Sequence, residues 1–266
     1  MKSLLKDFFW TLASLFSREK DAASILMYHS IGRNDAFFTV RKEEFEKQLQ
    51  YLRDNHFDVI TLSALLERLK QNKSLAHTVV ITFDDGYKDN YDSAFPLLKK
   101  YQMPATIFLA TNYIDGSMKL KDETVLPMLS RQEIQEMTRS GLIECMPHTG
   151  SHMRYTGDNL DALMEEVRES RRTVEALTGR SAPLFAYPAG KYDHVLADRV
   201  KREGFDGAVT VQGGLVHPDA DLFTLKRNAV DSMTSIPQFK GKVSRAIDWY
   251  VSIRTRIGHG FSSTHE

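Results

Sequence analysis

Short apolar runs alternate along this chain with stretches whose apolar residues recur at helical spacing. Ile25-Leu26-Met27-Tyr28 reads as a strand, and Phe45, Leu49 and Leu52 mark one helix face over 42–55. Leu62, Leu65, Leu66 and Leu69 mark a second helix, followed by the strand Thr78-Val79-Val80-Ile81-Thr82-Phe83. A helix with Tyr91, Phe95 and Leu98 on one side is then stopped by Pro104, and Ala105–Ala110 reads as a strand. Ser130-Arg131-Gln132-Glu133 matches a capping box that opens a helix ending near Gly141, with a strand over Leu142–Met146. The pattern next predicts a long helix over 158–178 with Gly179 as its stop, then strands at Leu184–Tyr187, Gly207–Val211 and Phe223–Leu225, with a helix across 193–203 between the first two. One amphipathic helix closes the pattern over 235–255, with Ile236, Phe239, Val243, Ile247 and Tyr250 on its apolar face and several lysines and arginines beside them. Strands separated by helices imply a parallel sheet with crossover helices, and about seven or eight such units would close a barrel.

Polar residues gather where these strands end. His29 follows the first, Asp84-Asp85-Gly86 follow the run to Phe83, His148 and His152 follow a third, and Tyr187-Pro188-Ala189-Gly190 follow a fourth. In an α/β barrel that face carries the active site. Adjacent carboxylates at a strand exit repel each other unless a cation or a proton sits between them. The two imidazoles are four residues apart, about one helical turn, so both can face one point. An aspartate with two histidines is a common set of ligands for a catalytic divalent metal, and it leaves the second aspartate free to act as a base. The reading is a metal-dependent hydrolase.

Composition narrows the alternatives. With 35 basic and 35 acidic residues the formal charge is zero, which gives no support to a nucleic-acid partner. The single cysteine, Cys145, excludes an intrachain disulfide and a cysteine metal cage, and its apolar neighbours suggest a buried, inert thiol. There is no glycine-rich dinucleotide fingerprint and no phosphate loop. At the N-terminus Leu5, Phe8, Phe9, Leu12 and Phe16 form one face of a helix too short to span a bilayer. It suits a helix on a membrane surface or docked on the domain, with a secretory signal as the other reading. The expected organisation is an amphipathic segment over 1–23, a catalytic domain over 24–235, and a C-terminal helix and tail over 236–266. Peripheral membrane contact through the terminal helices, and work in the cytoplasm or on the inner membrane rather than after export, follow as expectations.

Thr82-Phe83-Asp84-Asp85-Gly86 and His148-Thr149-x-x-His152 resemble the first two motifs of the polysaccharide deacetylases, the NodB-homology domain of carbohydrate esterase family 4. The resemblance covers residues 24–235. It implies an α/β fold, a distorted, incomplete (β/α) barrel of about seven parallel strands, here with amphipathic N- and C-terminal helices. It implies removal of acetyl groups from an N-acetylated glycan with a divalent metal, zinc being the expected one. By position, Asp84 would be the general base and Asp85, His148 and His152 the metal ligands, with Thr82 and Thr149 in supporting or packing roles.

Phe185-Ala186-Tyr187-Pro188-Ala189-Gly190 resembles the family's third motif, with Ala186 where an arginine usually tethers the base and Ala189 where a tyrosine lends its backbone N–H to the oxyanion. A backbone donor survives at Ala189. Arg227 is the candidate to replace the missing arginine. The family's last motif, an apolar strand ending Leu-x-His, is absent near the C-terminus but present as Leu26-Met27-Tyr28-His29. That order resembles the circularly permuted exopolysaccharide deacetylases and would make His29 the general acid. Asp89 and Asp92 read as helix-start or solvated charges, and 115–129 as either a substrate-contacting rim or a solvated loop. Two other readings stay open: hydrolysis of a different amide, of the ureide type, or a catalytically weak glycan-binding protein, which the lost arginine would favour.

Overall fold

The structure is a computed structural model that describes Asp7, Trp10 and residues 21–256. The rest of the N-terminal apolar face (Leu5, Phe8, Phe9, Leu12, Phe16) and the tail after 256 lie outside the described residues. The elements in chain order are β1 (Ala23–Tyr28), β2 (Ser30–Ile31), β3 (Thr39–Val40), α1 (Lys42–Asp54), β4 (Asp58–Ile60), α2 (Leu62–Lys70) and β5 (Thr78–Phe83). They continue with α3 (Phe95–Tyr101), β6 (Ala105–Leu109), β7 (Ser117–Lys119), β8 (Val125–Pro127), α4 (Arg131–Arg139), β9 (Ile143–Pro147) and α5 (Leu160–Thr178). The last are β10 (Leu184–Ala186), α6 (His194–Arg202), β11 (Gly207–Val209), β12 (Asn228–Ala229), α7 (Ile236–Lys242) and α8 (Ala246–Arg256).

β1 and β5 are buried along their whole length, because a parallel strand flanked by helices meets apolar neighbours on both faces. They pair in register from Ala23 with Thr78 to Tyr28 with Phe83, so His29 and Asp84 leave the sheet side by side. The main sheet runs β12-β1-β5-β6-β9 and is parallel throughout. The far edge of β5 is shared: β4 pairs with Thr78–Val80, and β6 takes over at Thr82 and Phe83. β10 and β11 form a separate parallel pair. The result is an α/β fold with a parallel sheet of six strands that does not close.

Several local predictions hold in detail. The Ser130 hydroxyl accepts from Glu133 N–H and the Glu133 carboxylate accepts from Ser130 N–H, so both halves of the capping box form. Helix α5 stops at Gly179 in the left-handed region, where a side chain would be strained. Three expectations need correction. Phe223–Leu225 is not a strand; Leu225 makes an isolated bridge to Val209, and the sheet takes up the chain again only at Asn228. The single C-terminal helix is two, α7 and α8, broken at residues 243–245. Segment 115–129 contains the antiparallel hairpin β7–β8, pairing Ser117 with Pro127. Among the described residues no helix is long and apolar enough to cross a membrane.

Candidate active site

Because the strands are parallel, the residues that follow β1, β5 and β9 share one end of the main sheet, and with those that follow β10 they line one cleft of about 620 Å³. His29, Asp84, Asp85, His148, His152, Ala189 and Arg227 all face it. Every site residue expected from the sequence is therefore brought to one place.

The backbone bends sharply to do this. Asp85, Thr149, His152 and Ala189 have φ of 70°, 63°, 58° and 53°, a region that non-glycine residues rarely adopt. The two histidines do not converge through a helical turn, as their spacing suggested; residues 148–158 are not helical, and left-handed Thr149 and His152 turn the chain instead. Three contacts hold that loop: Gly150 N–H and Ser151 N–H donate to Glu166 Oε2 at 3.1 and 2.9 Å, and the Ser151 hydroxyl donates to Oε1 at 2.7 Å. Glu166 sits on α5 and carried no sequence signal. Thr149 accepts from Met153 N–H at 3.0 Å, the supporting role expected of it.

Asp85, His148 and His152 offer one donor atom each, all within 4.8 Å of one another. His148 Nε2 and His152 Nε2 lie 3.7 and 3.6 Å from Asp85 Oδ1, too far for hydrogen bonds. Ligands about 2.1 Å from a shared tetrahedral ion stand about 3.4 Å apart, which is close to this spacing. Asp85 Oδ1 is buried with no hydrogen-bond partner among the described residues, an arrangement that calls for a cation. Burial lowers the His148 pKa to about 4, so the ring is neutral at physiological pH. Its Nδ1–H donates to the Ala186 carbonyl at 2.8 Å, leaving the Nε2 lone pair turned to the cluster. The residues present fit a divalent metal.

Asp84 stands apart from this trio. Arg227, fully buried, donates from Nη1 and Nη2 to the two Asp84 oxygens at 2.6 and 2.7 Å. Burial alone would raise the Asp84 pKa, but the Arg227 charge with these two bonds, helped by His148, holds it well below the usual carboxylate range. Arg227 is itself fixed by Nε–H donating to the Thr210 carbonyl at 2.8 Å and by Nη1 donating to the Thr82 hydroxyl at 3.2 Å. The Thr82 hydroxyl donates in turn to the Leu26 carbonyl at 2.8 Å, tying the pair to β1. Arg227 reaches Asp84 from the strand connection before β12, not from the position that Ala186 occupies at the end of β10.

Sequence reasoning missed an aromatic wall beside the Asp-His-His cluster. His29 packs on Phe38 with centroids 5.2 Å apart, and Phe38 stacks on Tyr87 at 5.4 Å. Burial and then the Asp85 carboxylate hold the Tyr87 phenol well above its ordinary pKa, so it remains a donor. Asp89, read as a helix-start or solvated charge, does stand at the start of the helical turn Asn90–Ala94, but it is partly buried and bonded to Ser30 and Ile31; Asp92 is exposed and pairs with Lys88, as read. The β7–β8 hairpin sends Met118 and residues 119–122 to the cleft, so the long connection is a rim.

A parallel α/β sheet with its polar residues at one strand end, and an Asp-His-His cluster beside a clamped aspartate, define a hydrolase-type site. The family model for polysaccharide deacetylases matches residues 71–208, and the chain belongs to that family. It is 32% identical over 204 residues to YxkH of Bacillus subtilis (strain 168), covering 76% of this chain and 69% of that protein. It is 28% identical over 237 residues to the poly-beta-1,6-N-acetyl-D-glucosamine N-deacetylase of Staphylococcus epidermidis, covering 80% of this chain and 81% of that one. Among solved structures, IcaB from Ammonifex degensii superposes with a TM-score of 0.75 at 24% identity, over 85% of this chain and 98% of that one, a likeness of fold.

Proposed function

We propose that this chain is a metal-dependent hydrolase that removes N-acetyl groups from an N-acetylhexosamine polysaccharide or its precursor, with β-1,6-linked poly-N-acetylglucosamine as the first substrate to test. The observation that carries the reading is the division between the two adjacent aspartates. Asp85 joins His148 and His152 around one point, while Asp84 is held outside that cluster by Arg227.

Asp85, His148 and His152 would hold the metal, and zinc suits their borderline nitrogen and oxygen donors. When bound, the metal supplies Lewis acidity that polarises an acetamide carbonyl and acidifies water. Asp84 accepts the proton of the attacking water on a carboxylate oxygen, with its orientation fixed by the guanidinium. The backbone N–H of Ala189, in its left-handed turn, donates to the developing oxyanion. His29 gives a proton to the leaving nitrogen, which departs as a neutral amine. The bidentate clamp on Asp84 supports this reading over a catalytically weak binding protein, which the alanine at position 186 had favoured. The catalytic unit in this reading spans 24–235, and the terminal segments on either side provide peripheral contact with the inner membrane.

The test is acetate release from β-1,6-linked N-acetylglucosamine oligomers, before and after chelation and zinc readdition. The expected result is release that stops on chelation and returns with zinc. Retention of the glycan with no acetate released under any divalent metal would overturn the proposal.

A further inference from the structure

The general acid is the least supported side chain of the proposed mechanism. Among the described residues the His29 ring makes no hydrogen bond, and its one aromatic neighbour is Phe38. Its backbone, in contrast, is fastened at three successive residues. The His29 carbonyl accepts from Asn90 Nδ2 at 2.7 Å, the Ser30 hydroxyl donates to Asp89 Oδ2 at 2.5 Å, and Ile31 N–H donates to Asp89 Oδ1 at 3.1 Å. Asn34 Nδ2 and the Thr39 hydroxyl in turn donate to Ser30 Oγ at 2.8 and 3.1 Å. Asn90 is almost fully buried, so the His29 carbonyl has no water to replace this donor.

The fastening comes from the segment that carries the base and a metal ligand. Asp84, Asp85, Asp89 and Asn90 lie within seven consecutive residues, and Asn90 opens a π-helical turn, Asn90–Ala94, before α3. Such turns are rare and are frequently found at functional sites. We infer that Asn90, with Asp89, is a positioning residue that sets where His29 delivers its proton relative to Asp84. A single rigid segment thereby registers the acid against the base. This inference rests on the N-deacetylase reading and deepens it.

Leaving-group dependence separates positioning from mere structural support. An acetamide expels an amine that must be protonated, whereas 4-nitrophenyl acetate expels a phenolate that leaves unaided. Asn90→Ala is expected to lower kcat on the acetylated oligomer at least about tenfold, with KM and 4-nitrophenyl acetate turnover changed less than about twofold. Ser30→Ala removes the hydroxyl's bond to Asp89 and its contacts with Asn34 and Thr39 but leaves the Asn90 bond to the His29 carbonyl, so it shifts the same ratio in the same direction by a smaller factor, and His29→Ala shifts it furthest. Equal losses on both substrates, or no loss on either, would overturn the inference. A wild-type enzyme that cleaves the ester but never the oligomer would instead sink the N-deacetylase reading, and this inference with it.

Discussion

Arg227→Met puts the clamp on the proposed base to its most direct energetic test. The substitution keeps most of the buried volume but removes both donors to Asp84, which is 3% exposed and has no solvent to replace them. Leaving one charge of a buried pair without its partner costs about 3–5 kcal/mol. The pH dependence of that loss follows from the direction of each shift. In the wild type the folded-state pKa of Asp84 is depressed, so the pair contributes stability above the ordinary aspartate pKa and loses it as pH falls through the folded value. In the variant burial acts unopposed and raises the folded pKa, so the penalty stands at neutral pH and is relieved as pH falls through that raised value. Urea unfolding of the chelated proteins at pH 7.5 and pH 5 should therefore show a gap that narrows by about 1 kcal/mol or more on acidification. Arg227→Lys keeps the charge without the two-pronged geometry and should lose about 1–3 kcal/mol. A gap below about 1 kcal/mol at pH 7.5, or one unchanged at pH 5, would refute the reasoning.

Three other outcomes follow from the geometry. Glu166→Ala frees the loop between His148 and His152 and should weaken zinc binding about 10–100-fold in isothermal titration while α5 keeps its circular-dichroism signal. At Gly190 φ is 63° and an added Cβ would stand 2.3 Å from Val211 Cγ2, so Gly190→Ala should cost about 2 kcal/mol or more in thermal unfolding. Burial pushes the Cys145 thiol up to about 12, so Ellman's reagent at pH 8 should react only after denaturant is added.

How much of this was legible in the sequence depended on the range of the interaction. Strand exits were readable because buried parallel strands are continuous apolar runs, and their ends place Asp84, His148 and His29 without further information. The Ser130 cap and the Gly179 stop were readable because both are local chemistry. The four-residue histidine spacing pointed to the right partners through the wrong geometry, since a loop with left-handed residues converges side chains that a helical turn would also converge. Arg227 could be nominated only through the resemblance, which expects an arginine beside Asp84; its bidentate contact joins residues 143 positions apart. Asp89 looked like a helix-start or solvated charge; it does start the turn Asn90–Ala94, but nothing local reveals that the loop after β1 folds onto it. Glu166 on α5 was equally silent, as its partners are mostly backbone N–H groups that leave no trace in composition. Glycine-free residues 243–245 break the C-terminal helix although the apolar periodicity continues across them.

Metal stoichiometry across three proteins tests the central division of labour most directly. Wild type, Asp84→Asn and Asp85→Ala are stripped with chelator, reloaded with zinc, desalted and read by mass-spectrometric metal analysis. One equivalent is expected in the wild type and in Asp84→Asn, which should no longer release acetate, and none in Asp85→Ala. An Asp84→Asn protein that fails to retain the ion, or an Asp85→Ala protein that keeps it, would contradict the account.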